Sequence, residues 1–345
     1  SSYMNKKGRR PGIALGFGAE TAGGVVAMIG AHTGSIILFL LGLVGVGIGS
    51  GASNLARYAA ADLAKPADKA KAISLIVFSA TLGAVGGPSL VGMADDAGQS
   101  IGLNENVGPY ALTVVFFAVG GLIVSALLRP DPLVLIGGLD SATSPKRASF
   151  VESLEIMVSR PLARLSLVSL IVSQAVMVGV MAMTPLHMDE HGHDVGVIGL
   201  VISSHTLGMF AFAPLAGMAA DRFGKVPAIA FGGLTLMLAT TLTALAGEAP
   251  KLLMVPGLDL LGLGWSFGMV AGSALLTESV EAEDRVSVQG AADLMASIVS
   301  GVAALASGVV LSMTGFHVLS MIGIAASGIL LVHGFTRMRL SAVTT

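Results

Sequence analysis

The strongest constraint on this chain is the length of its uncharged apolar runs. Residues 72–94, 165–186 and 294–336 contain no Asp, Glu, Lys or Arg. A helix needs about 20 apolar residues to cross a hydrocarbon core about 30 Å thick. The first two runs are therefore one crossing each, and the third, 43 residues long, is two. Its break falls at the turn sequence Thr314-Gly315-Phe316-His317. The runs are continuously apolar instead of alternating, which predicts helices and not barrel strands. Composition agrees: 54% of residues are hydrophobic and 12% charged, against about 25% charged in a soluble domain. That excludes a soluble globular enzyme. Zero Cys excludes disulfides, thiolate nucleophiles and Cys-ligated metal. A formal charge of -2 carries no basic surplus, so no nucleic-acid partner is expected.

Ten apolar windows bounded by charge or turn residues cover 12–32, 36–57, 72–94, 108–128, 163–185, 196–218, 226–247, 252–277, 286–312 and 316–336. Ten crossings put both termini on one side. Eighteen of the 19 Lys and Arg residues then fall on that side, and only Lys251 on the other. Positive charge marks the cytoplasmic face. The expectation is an integral protein of the cytoplasmic (inner) membrane with both termini of this chain inside. The connection 129–160 carries Pro130, Pro132, Pro145 and the only clustered charge in mid-chain. It divides a four-span bundle, 1–128, from a six-helix bundle, 161–345.

A weak internal repeat crosses that linker. Residues 217–225, Gly-Met-Ala-Ala-Asp-Arg-Phe-Gly-Lys, align at an offset of 216 with the start of the chain, where Gly8, Arg9 and Arg10 are kept but Ser1 and Asn5 replace the leading Gly and the Asp. Parallel repeats of this kind build many secondary transporters. The 217–225 stretch resembles the cytoplasmic signature of the major facilitator superfamily: Gly217, three residues, Asp221-Arg222, one residue, then Gly224-Lys225. A second stretch, with Gly83, Gly87, Pro88 and Gly92, is similar to that family's antiporter signature, with Ser74 and Val91 where two further glycines belong. The resemblance covers essentially the whole chain. It implies an all-α membrane protein with the superfamily fold, two pseudo-symmetric helical bundles and ten of the usual twelve transmembrane helices. Because the family's signature joins its second and third helices, the first span here corresponds to the third, and the first two helices are expected to be missing from the front.

The motifs have physical readings of their own. Asp221, at a helix-to-helix turn, can cap or face the positive end of a neighbouring helix, while Arg222 and Lys225 add charge-assisted contacts. The resemblance makes Asp221 a gate residue and not a substrate ligand; from the residues alone, Arg222 and Lys225 could equally serve topology. Asn5 brings no charge to the first copy. Gly83, Gly87 and Pro88 remove side chains and one donor from mid-span, which permits a kink and close helix contact, either as plain packing or as an antiporter feature.

Ionisable groups inside spans are the sharper signal, because a charge at the bilayer centre costs at least about 2.5–3.5 kcal/mol. Glu20, Asp259 and Asp293 qualify. Arg285, Gln289, Asp293, Ser297 and Ser300 share one helical stripe, and Asp259, Ser266, Ser273 and Thr277 another. Asp293 and then Asp259 lead as proton or substrate sites; the rival reading is a fixed interhelical pair, for instance Asp293 with Arg285. Glu20 is read chiefly as an internal hydrogen-bond partner. His205, beside Ser203, Ser204 and Thr206, could relay protons, with an ordinary imidazole pKa near about 6.5, or simply pack. Arg57, near Asn54, Tyr58 and Asp62, could complement a helix C-terminus. His187 to Asp194 form a dense polar loop, yet their spacing fixes no metal geometry, so no metal and no cofactor are expected. Gln174, Met177, Met181 and Met188 read as an adaptable wall or as packing.

No Gly-Lys-Ser/Thr phosphate loop occurs, so any pumping draws on an ion gradient. One proton crossing 100 mV supplies about 2.3 kcal/mol, enough for roughly a 50-fold solute gradient. The leading expectation is proton-coupled efflux of a small organic solute by alternating access, from a monomer in a lipid bilayer. Symport or facilitated uptake, and a non-transporting receptor or inactive fragment, are the alternatives. An enzyme is not expected.

Overall fold

The computed structural model describes residues 2–104, 107–135, 148–193, 195–246 and 250–343, nearly all of them helical. The chain divides into two compact units, Ser1–Leu63 with Leu82–Arg147, and Ala64–Thr81 with Ala148–Thr345.

The first unit holds α1 (Ser2–Lys7), α2 (Arg9–Thr33), α3 (Ile36–Ser53), α4 (Ala56–Leu63), the second part of α5 (Lys69–Ser100), α6 (Gly108–Leu127) and α7 (Pro132–Leu135). Gly34 ends α2 in the left-handed conformation, φ 71°, and returns its N–H to the carbonyls of Ala31 and Gly30. Ser35 then opens α3, its hydroxyl accepting from Leu38 N–H. This tight reversal lays α3 along α2, and small residues let the backbones touch. A side chain on Gly42 would collide with the Ala27 backbone, and one on Gly30 would lie 2.7 Å from Phe39 Cα. α6 packs on the same helix. Outward faces stay apolar: Ile36, Ile48 and Leu122 are each about 70% exposed, as side chains bathed in lipid would be.

The second unit holds the start of α5 with α8 (Phe150–Ser159), α9 (Pro161–Glu190), α10 (Val195–Phe210), α11 (Ala213–Phe223), α12 (Lys225–Leu245), α13 (Pro250–Ser279), α14 (Arg285–Thr314) and α15 (Phe316–Val343). α13 is its axis, packed by α9, α10 and α12. Ser149 and Glu152 form a reciprocal cap on α8. Met157 of α8 then enters a buried cluster with Leu170, Leu276 and Val288. The long uncharged run divides at Gly315, φ 87°, between α14 and α15.

Nine helices among the described residues are long and apolar enough to cross a membrane. The remaining run of the sequence, 72–94, lies within α5, a single helix of 32 residues. Residues 129–160 hold α7, in the first unit, and α8, in the second; 136–147 of the expected linker lie outside the described residues. Residues 64–81 cluster with the second unit because the start of α5 is bound there by side chains of α11.

Candidate functional site

Two base–acid clasps recur at the repeat offset. Arg9, completely buried, donates from Nε and Nη2 to Asp62 Oδ2 at 3.0 and 2.8 Å. Lys225 Nζ lies 3.1 Å from Glu278 Oε1 and 3.4 Å from Asp221 Oδ1. Each acid follows its base by 53 residues, so the same pair is built once in each unit. Both bases open a helix just after a glycine at φ near 100°, Gly8 and Gly224.

A carboxylate caps a helix start in each unit. Asp221 accepts the N–H groups of Ala70 at 3.2 Å and Lys71 at 2.8 Å, first-turn donors that α5 cannot satisfy itself. Gly217 makes the approach possible: a side chain there would strike Ser74 and come within 2.8 Å of the Ala70 carbonyl. Arg222 holds its guanidinium over the Phe223 ring, 5.4 Å from the centroid. In the first unit Asp131 accepts from Arg9 N–H at 3.1 Å and Arg10 N–H at 2.7 Å, and packs against Gly8 so closely that a side chain there would collide with it.

The candidate ionisable groups take different surroundings. Glu20 is buried and accepts from the Ser50 hydroxyl at 3.0 Å. Arg57 is held at the start of α4 by the Asn54 carbonyl, 2.8 Å, and Tyr58 OH, 3.3 Å. On α14, Gln289 is fully buried and donates to Thr277 Oγ1 of α13 at 3.1 Å; Asp293, one turn on, is half-buried. The lower part of the second stripe, Ser266, Ser273 and Thr277, is turned into protein.

Asp259 has the most developed setting. α10 and α13 meet backbone to backbone across Gly208 and Gly262: a side chain on Gly208 would collide with the Asp259 carbonyl, and one on Gly262 with the His205 carbonyl. That contact aligns Ser204, which hydrogen-bonds the Asp259 carboxylate, with His205, whose Nδ1 lies 2.8 Å from the Leu258 carbonyl. A carbonyl only accepts, so Nδ1 carries the ring proton. One to two turns further along, Trp265 stacks edge-on with Phe210 at 5.8 Å and donates from its indole to Gln174 Oε1 of α9 at 2.7 Å. α10 and α13 thus meet at the carboxylate and the imidazole, and one to two turns away α9 joins α13 through the amide and the chain's single Trp.

Two expectations are corrected. Gly83 and Gly87 make no close helix contact: no described atom lies within 4 Å of a side chain built on either. α5 instead makes its close approach at Gly98, where Gly108 Cα would be 3.0 Å away. The surroundings of Pro88 lie outside the described residues. His187 to Glu190 are not loop but the last turn of α9, where the His187 ring stacks on Phe316 at 4.4 Å. Among the described residues no group of three or more His, Asp or Glu is arranged to hold a metal. Asp131, Glu278 and the Trp265–Gln174 pair escaped the sequence reading. Of these only Glu278 had a signal, since the repeat offset carries Asp62 onto it.

Long apolar helices in two units, each carrying a base–acid clasp at the same repeat position, define a polytopic membrane protein. The family model of the Major Facilitator Superfamily matches residues 1–196 and 169–342, and the chain belongs to that superfamily. It is 34% identical over 317 residues to the uncharacterised MFS-type transporter YdeG of Bacillus subtilis, covering 92% of this chain and 74% of YdeG. It is 28% identical over 344 residues to the riboflavin transporter RfnT of Brucella anthropi, covering 98% and 81%. Among solved structures, the superfamily transporter FucP, from E. coli, in its outward conformation aligns with a TM-score of 0.74 at 16% identity, over 95% of this chain and 83% of that one.

Proposed function

We propose that this chain moves a small organic solute by alternating access, in exchange for protons, in the direction of efflux. It sits as a monomer in the cytoplasmic membrane with both termini inside, an orientation supported by 18 of 19 basic residues falling on one side. The bundles 1–128 and 161–345 rock about the linker 129–160, and the Asp221–Lys225 clasp biases the cytoplasmic closure. The observation that carries the reading is the α10–α13 cluster. A carboxylate inside an apolar helix pair marks a site that works on an ion or a solute, and Asp259 is supplied with a hydroxyl partner at the crossing where the Leu258 carbonyl holds His205. Asp293, beside the Gln289–Thr277 bond, is the second candidate for coupling.

The test is uphill flux in proteoliposomes under an imposed proton gradient, with riboflavin as the first solute because a 28% identical relative carries that name. Accumulation that vanishes with a protonophore, and in Asp259→Asn or Asp293→Asn protein that is still inserted, supports the reading. Flux indifferent to the proton gradient would remove the coupling and leave a facilitated carrier.

A further inference from the structure

Resting on that reading, we propose that the coupling proton binds at His205 Nε2. His205 is only 2% exposed. Its Nδ1–H is committed to the Leu258 carbonyl at 2.8 Å, so in the neutral ring Nε2 is a bare lone pair. Among the described residues that nitrogen has no hydrogen-bond partner. A buried acceptor without a donor is rare in native proteins and calls for an explanation. Gly208 and Gly262 allow α10 and α13 into backbone contact, and that contact fixes the ring against a carbonyl which no protonation event can displace.

The surroundings decide between a proton and a fixed partner. α9 offers no Asp, Glu, Lys or Arg between Arg164 and His187, and α12 none after Lys225. α10 holds no ionisable group besides His205, and α11 holds its charges at its far end, at Asp221 and Arg222. Among the described residues of these helices the remaining ionisable side chain near the crossing is Asp259, and its carboxylate is paired with Ser204. A proton from external water adds to the Nε2 lone pair and gives an imidazolium, with Nδ1–H still on the Leu258 carbonyl. After the bundles rock, the proton leaves Nε2 for internal water and the neutral tautomer is restored. No other bond changes. The ring thus switches charge without losing its anchor, which a coupling site in a packed helix pair needs.

The deciding experiment is nitrogen NMR of the full chain labelled with 15N-His in lipid bilayers, with His205 assigned by comparison with His205→Asn. Seven His are present, so the difference is tractable. The proposal expects the Nδ1–H tautomer with a free Nε2 at high pH, converting to imidazolium as pH falls. A His205 that keeps one neutral form from pH 5 to 9, or whose Nε2 is already hydrogen-bonded, overturns it. His205→Asn keeps a donor for Leu258, and His205→Gln serves if that variant fails to insert. With riboflavin as probe, either should retain exchange across the membrane at equal pH while losing accumulation driven by a proton gradient at least tenfold. Accumulation unchanged in both variants also overturns the proposal. Absence of any riboflavin movement in wild-type protein counts against that solute and the transport reading; the NMR result decides His205 separately.

Discussion

Replacing Asp221 with Ala should release the start of α5. The carboxylate accepts two first-turn amides, Ala70 at 3.2 Å and Lys71 at 2.8 Å. Hydrogen bonds to a charged acceptor contribute about 1.5–3 kcal/mol each, and loss of a helix cap costs about 0.5–2 kcal/mol. The two figures describe overlapping interactions. The Asp221 side chain is 11% exposed and Lys71 faces solvent, so screening takes the loss below the sum of two such bonds, to the top of the capping range, about 2 kcal/mol for the pair. That is roughly a 30-fold shift in the local opening equilibrium. Hydrogen exchange on the full chain in nanodiscs reads it directly: amides at 70–74 should exchange about 30-fold faster, while those of α12 keep their protection. Asp221→Asn, which retains one acceptor oxygen, should show roughly a fivefold rise, about 1 kcal/mol. Unchanged exchange at 70–74 in Asp221→Ala would refute the reasoning, since no other described side chain is seen to cap those amides.

Gly217→Leu should give the same exchange signature with Asp221 intact, because the new side chain meets Ser74 and the Ala70 carbonyl; protection retained at 70–74 would show that α11 yields easily. Arg9→Ala strands a buried carboxylate and should destabilise the first unit by about 3–5 kcal/mol, lowering the thermal midpoint in detergent. The double variant with Asp62→Ala should recover part of the loss, and no recovery would mean the pair is not coupled. Gly42→Val drives a branched side chain into the Ala27 backbone, an overpacking that costs about 1–3 kcal/mol, visible as a lower thermal midpoint.

Much of this architecture can be read from the chain because in a membrane the apolar run is the helix. Backbone groups there find no other partner, so the uncharged runs reappear within α5, α9, α14 and α15, and Gly315 breaks the longest run where the turn residues stand. The repeat was legible too, and its offset of 216 aligns Arg9–Asp62 with Lys225–Glu278, though the second acid becomes visible only once the first pair is known. Contacts without a local signature were not legible. Asp131 reaches Arg9 across 122 residues, and nothing in Pro130-Asp131-Pro132 announces which helix it caps. Gly83 and Gly87 have the spacing of a packing motif, yet spacing does not say which way a helix face turns. His187 reads as loop because it is polar, but α9 carries it one turn further, against Phe316. At Asp259 the sequence supplies the acid, and only the crossing at Gly208 and Gly262 supplies Ser204 and His205.

Solute-induced proton movement tests the central claim most directly. A pH dye is trapped inside proteoliposomes of the wild-type chain, with no gradient imposed, and riboflavin is added outside. Exchange predicts that the lumen becomes more alkaline as solute enters and protons leave, and that Asp259→Asn abolishes the signal. Solute entry with a silent dye, or with an acidifying lumen, contradicts proton exchange.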